Sequence, residues 1–102
     1  MAVIEVKKDN FESEVINSEK TVLADFNADW CGPCKMLKPI VEEISKREDV
    51  KVVSINIDDE DELAEDYEVY SIPCVVVFKN GKEVARSVGY KSKEEIEALL
   101  EE

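Results

Sequence analysis

An α/β fold with element order βαβαβαββα is predicted by two features of the 102-residue chain. Short, β-branched apolar runs alternate with segments whose apolar residues recur at helical spacing, the pattern of strands paired in parallel through helical crossovers. The last two runs are joined instead by Asn80-Gly81, the strongest short hairpin signal, so the final pair is expected to be antiparallel. At this length one modest core is available, and residues 1–102 read as a single domain without repeats, low-complexity tracts or linkers.

The elements follow in order. Val3 to Val6 is a short first strand. Asp9 and Glu12 have the spacing of a capping box, and Phe11, Val15 and Ile16 share the face of the helix it would start. Thr21 to Ala28 (TVLADFNA) is the second strand. Met36, Leu37, Ile40, Val41 and Ile44 recur at helical spacing from there to about Arg47, with Pro39 expected to kink that helix. Val50 to Ile57 is a third, nearly apolar strand, and Asp59 to Glu62 opens a capped helix running to about Val69. Cys74 to Lys79 and Lys82 to Val88 are the hairpin strands. Ser92-x-x-Glu95 caps a last helix whose Ile96, Leu99 and Leu100 face inward.

Composition removes several classes of function. With 25 acidic and 13 basic residues the formal charge is −12, which repels phosphate backbones and anionic lipid and argues against nucleic-acid or membrane partners. An apolar fraction of 44% is that of a globular protein. No stretch approaches the ~20 apolar residues of a membrane helix. Residues Met1 to Val6 carry neither a basic n-region nor a long apolar run, so a cytoplasmic location is expected. Three cysteines are fewer than a secreted disulfide scaffold usually carries.

The chemistry centres on Trp30-Cys31-Gly32-Pro33-Cys34-Lys35, directly after the second strand. A helix starting there puts both thiols on its first turn, where backbone N–H groups and the helix dipole favour a thiolate. Residues three apart share a helix face, so the sulfurs can bond and part again. Cys31, at the helix start, is expected to face solvent and to attack a disulfide, and Cys34, one turn in and more buried, to resolve the mixed disulfide. Gly32 is expected to let the loop turn tightly, and Pro33 to fit the first turn, where its missing N–H costs nothing. Zinc would need two further soft or imidazole ligands, and the chain has no histidine and one other cysteine, so no metal ligands are assigned. Asp25 interrupts an apolar strand. It is either a buried carboxyl with a raised pKa, able to exchange a proton with Cys34, or an outward-facing aspartate.

Asp25-Phe26, the Ala28 to Lys35 motif, Ser71-Ile72-Pro73, Phe78-Lys79-Asn80-Gly81 and Val88-Gly89 together resemble the thioredoxin family over nearly the whole length. The resemblance implies the thioredoxin fold, a central five-stranded mixed sheet flanked by four helices. It implies a monomeric protein-disulfide reductase, an electron carrier re-reduced by a thioredoxin reductase. No separate cofactor is expected, since the Cys31–Cys34 disulfide is itself the redox group. It further implies that Asp25 is the buried carboxylate, that Ile72-Pro73 is cis, that Pro73 lies beside the dithiol and that the Ile72 backbone pairs with a substrate segment. Trp30 and Gly89 then complete an apolar groove around Gly32 and Pro33. By residue type alone, Trp30 would be a core aromatic and Gly89 a turn residue.

Four positions depart from the family pattern. Asn27 stands where a tryptophan is typical, Tyr90 where a small residue or phenylalanine is common, and Cys74 where threonine is usual. Ser54 stands where a lysine often neighbours the carboxylate, which leaves Asp25 more neutral. Cys74 is either a small buried hydrophobe or a third thiol near the active pair. The reading is a thiol–disulfide oxidoreductase acting on protein disulfides. Its rivals are another redox role on the same scaffold, a binding module without turnover, and a metal or iron–sulfur carrier using Cys31, Cys34 and Cys74.

Overall fold

The computed structural model describes residues 3–102; Met1 and Ala2, part of the stretch read against a leader segment, lie outside them. The strands are β1 (Ile4–Glu5), β2 (Thr21–Asn27), β3 (Val50–Asn56), β4 (Cys74–Lys79) and β5 (Lys82–Val88). The helices are α1 (Lys8–Phe11, continued by a π-helical turn over Glu12–Ile16), α2 (Gly32–Ile44), α3 (Asp61–Asp66) and α4 (Lys93–Leu99). The five strands form one sheet in the order β1-β3-β2-β4-β5. β1 and β2 flank β3 in parallel, while β4 pairs antiparallel with both β2 and β5. This is the mixed sheet expected. Among the described residues no helix is long and apolar enough to cross a membrane.

β2 runs mid-sheet with helices over both faces, so its side chains alternate between two cores. Val22, Ala24 and Phe26 join Phe11, Val15, Leu63 and Phe78 on the α1/α3 side, where the Phe11, Tyr67 and Phe78 rings stack at centroid distances of 5.4–6.1 Å. Leu23 joins Leu37, Val41, Ile44 and Ile96 on the α2/α4 side. The full burial of β2 from Val22 to Phe26 explains why that segment reads as an unbroken apolar run rather than an alternating one.

Several local details differ from expectation. α1 begins at Lys8, so Asp9 and Glu12 do not form its cap; Asn10 Oδ1 accepts the Lys7 N–H at 2.6 Å instead. α3 starts after Glu60 with no capping side chain, and Asn56 Oδ1 accepts the N–H groups of Asp58 and Asp59 just before it. α2 contains Pro39 and ends at Ile44 rather than near Arg47, its last turn tightening through i−3 bonds from the Lys46 and Arg47 N–H groups. Met36 lies off the buried stripe of α2 and is exposed. The Ser92–Glu95 capping box forms in both directions, at 3.2 and 3.0 Å.

The hairpin turns as expected, with Asn80 at φ 55° and Gly81 at φ 79°. A Cβ at Gly81 would stand 2.8 Å from the Ile16 carbonyl oxygen, so the position demands glycine for space as well as for φ. Gly81→Ala is therefore expected to destabilise the fold by about 1–3 kcal/mol, read as a lower urea midpoint at unchanged slope.

Candidate active site around the Cys31–Cys34 disulfide

β2 delivers the chain to the N-terminus of α2. Cys31 is the N-cap, in extended conformation, and its Sγ accepts the Cys34 N–H at 3.2 Å. The two cysteines are disulfide-bonded with Cα atoms 5.2 Å apart. Cutting that bond leaves the Cys31 sulfur facing an N–H donor and the positive end of a 13-residue helix, both of which favour the thiolate. The expected contrast in exposure is absent: both cysteines are 5% exposed, because the bonded sulfurs pack with Ala28 under Ile57 and Ile72. What separates them is position, the cap against the first turn. Gly32 also differs from expectation. Its φ lies outside the left-handed region and a Cβ there meets nothing within 4 Å, so the turn does not require glycine. Pro33 sits in the first turn, as its chemistry predicts.

Asp25 is 4% exposed on the α2/α4 face of β2, opposite Ser54 on β3 and Val75 on β4. A central strand covered on both faces has no outward side, which removes the outward-facing reading. Its Oδ1 has no hydrogen-bond partner among the described residues. Burial pushes its pKa up from 3.8 to about 7. Ser54 does not answer the carboxyl by donating to Oδ1. Its Oγ accepts the Asn27 Nδ2 at 2.8 Å, and the same amide donates to the Asp25 carbonyl at 2.9 Å. Two of the positions that depart from the family pattern thus pair with each other. Asp25, Asn27, Ser54 and Cys34 line one cleft of about 850 Å³, whose rim carries Lys35 and Lys38.

Trp30 is 69% exposed, not a core aromatic, and its indole N–H donates to Asp58 at 2.8 Å. The Ile72–Pro73 bond is cis, Ile72 packs on the cysteine pair, and the Pro73 carbonyl accepts the Gly89 N–H at 2.7 Å. Gly89 adopts φ 92°, a turn conformation at the groove edge. Tyr70, Val88 and Tyr90 add exposed apolar surface. Cys74 is free and buried, on the Phe26 side of the sheet away from Asp25, and burial raises its pKa; this is a packing thiol. Among the described residues no cluster of three or more His, Cys, Asp or Glu side chains is placed to hold a metal ion. Asp58, Asn56 and Arg86 escaped the sequence reading, because each acts across segments whose proximity no local pattern announces.

Comparison with known proteins agrees with this geometry. The thioredoxin family model matches residues 2–102. The thioredoxin of Bacillus subtilis is 43% identical over 102 residues, covering 98% of this chain and 96% of its own. That of Porphyra purpurea is 41% identical over 102 residues, covering 98% and 95%. The mitochondrial thioredoxin of Bos taurus is 44% identical over 93 residues, 89% of this chain, which spans 56% of that longer protein.

Two outcomes follow for the buried carboxyl. Between the unfolded pKa near 3.8 and the folded value of about 7, the unfolded chain has lost a proton that the folded protein keeps, so stability falls as pH rises through that window. Asp25→Asn is expected to abolish the fall and to exceed the parent by about 4 kcal/mol above pH 7, measured by urea unfolding of the oxidised protein from pH 3 to 9. Ser54→Lys places a cation in register with the carboxyl and is expected to lower its pKa, read by carboxyl NMR titration; an unmoved titration would contradict the desolvation account.

Proposed function

We propose a division of labour for this chain, which belongs to the thioredoxin family and is a thiol–disulfide oxidoreductase working through its own Cys31–Cys34 couple. In the reduced protein the Cys31 thiolate attacks one sulfur of a protein disulfide. The Cys31–substrate bond forms, the substrate S–S bond breaks, and the departing sulfur takes a proton from solvent. Cys34 then passes its proton to ionised Asp25 and attacks the Cys31 sulfur. The Cys31–Cys34 bond forms, the mixed disulfide breaks, and the second substrate sulfur leaves to be protonated. Two electrons and two protons reach the substrate.

Asp25 suits the proton transfer because a carboxyl titrating near 7 is present in both forms at neutral pH. One observation carries this assignment: a buried carboxyl whose Oδ1 has no hydrogen-bond partner among the described residues lines the same cleft as Cys34, at the N-terminus of α2. In this reading Trp30, Gly32, Pro33, Ile72, Pro73 and Gly89 form the docking groove, with the Ile72 backbone pairing to an extended substrate segment. Little side-chain readout is involved, so a reactive disulfide is selected more than a sequence. The electron donor is a thioredoxin reductase, the compartment the cytoplasm, where thiols are kept reduced, and the working unit a single domain, 1–102.

The decisive assay is reduction of insulin coupled to NADPH and a thioredoxin reductase. Cys31→Ser is expected to fall to the uncatalysed background, and Cys34→Ser to accumulate a covalent mixed disulfide visible by intact mass. Retained turnover in Cys31→Ser would remove Cys31 as the nucleophile, and retained substrate binding without turnover in the parent would favour a binding module.

A further inference from the structure

We infer that Arg86 is a positioning residue for disulfide reduction: its guanidinium anchors the start of the 67–73 segment and thereby sets where the Ile72 backbone meets an incoming polypeptide. The inference rests on the pairing role proposed above for Ile72.

α3 ends at Asp66, and its last carbonyls are taken by the backbone N–H groups of Tyr67, Glu68 and Val69. The carbonyls of Tyr67 and Glu68, just past the helix, are met by Arg86, across the sheet on β5. Its Nη2 donates to the Tyr67 carbonyl at 2.7 Å and its Nη1 to the Glu68 carbonyl at 3.3 Å. The same fork is held from behind by Glu83, Nε to Oε2 at 2.6 Å and Nη2 to Oε1 at 2.9 Å. The chain reverses at this point, with Glu68 in the left-handed region at φ 55°. Beyond it Tyr70 is 82% exposed, and among the described residues no hydrogen bond holds the side chain of Tyr70 or Ser71. Val69 is held by its own N–H on the Ala64 carbonyl at 2.8 Å and by burial in the α1/α3-side core, and the next backbone bond beyond Tyr70 and Ser71 is the Gly89 N–H on the Pro73 carbonyl. The Arg86 hold comes from β5 and the Gly89 hold from just past its end, at opposite ends of the segment that carries Ile72. The planar fork matters here, because a lysine ammonium cannot hold two carbonyls and a two-pronged carboxylate at fixed angles.

The test compares two substrates of the intact protein. One is a disulfide peptide long enough to lie along the groove; the other is bis(2-hydroxyethyl) disulfide, which reaches only the sulfur. In Arg86→Gln the KM for the peptide is expected to rise about tenfold, the size of effect a small misplacement produces, with kcat and the small-disulfide reaction unchanged. Glu83→Gln, which leaves the guanidinium but frees it, is expected to move KM the same way by less, and Arg86→Lys to fall between Arg86→Gln and the parent. Arg47→Gln removes an ion pair with Asp49 at the other end of α2 and should leave both substrates alone, which controls for lost stability. An unchanged peptide KM in Arg86→Gln, or an equal loss on both substrates, overturns the inference. A peptide N-methylated beside its cysteine separates the two layers. If methylation does not raise KM in the parent, the Ile72 pairing fails and this inference with it. If methylation does while Arg86→Gln does not, only the Arg86 role fails.

Discussion

The burial of β2 on both faces governs the rest of this molecule. A strand flanked by β3 and β4 and roofed by helices is apolar along most of its length, so a carboxyl placed within it is largely desolvated. The penalty appears as the raised pKa of Asp25 and its unpartnered oxygen. The same strand leads, through Ala28 to Cys31, into α2, which carries Cys31 at its cap and Cys34 in its first turn, and Cys34 lines the same cleft as that carboxyl. Burial of one strand therefore leaves a carboxyl titrating near 7 in the same cleft that Cys34 lines.

A second constraint comes from the hairpin. β4 begins just after the cis Ile72–Pro73 bond, and β5 returns along it to end at Val88, which sets Gly89 beside the same loop. The tight Asn80-Gly81 turn starts the pairing, a register shift at Val77/Phe78 adjusts it, and the resulting register brings Arg86 and the Gly89 N–H to opposite ends of the 67–73 segment. Trp30, Ile72 and Gly89, proposed above for substrate docking, come from three separate stretches of chain. Asn27 and Ser54 show the same economy on the other face, each satisfying the other where larger side chains are usual, and a cleft opens behind the dithiol.

Much of this was legible beforehand. Element order, the antiparallel final pair, the helix starting at the cysteines and the Ser92 cap all rest on signals contained within a few residues, and they stand within one to three residues of their expected ends. The misses share a cause. Asp9–Glu12 has the spacing of a cap, yet the helix starts earlier, because Asn10 reaches back to Lys7. Met36 fits a helical period but lies just off the stripe that α2 buries. Gly32 looked like a turn glycine, yet the cap conformation of Cys31 already turns the chain.

What the sequence by itself determined is the set of local choices: which stretches extend, which coil, where they turn, and that two thiols sit on the first turn of a helix. These follow from backbone propensity, period and capping, whose range is three or four residues. Only the tertiary structure decided that Asp25 faces inward without a partner, that Trp30 faces outward to Asp58, that Asn27 engages Ser54 and that Arg86 holds the carbonyls after α3. Each of these depends on which distant segments the sheet sets side by side, and on how much water that leaves around them. No window of neighbouring residues contains that information.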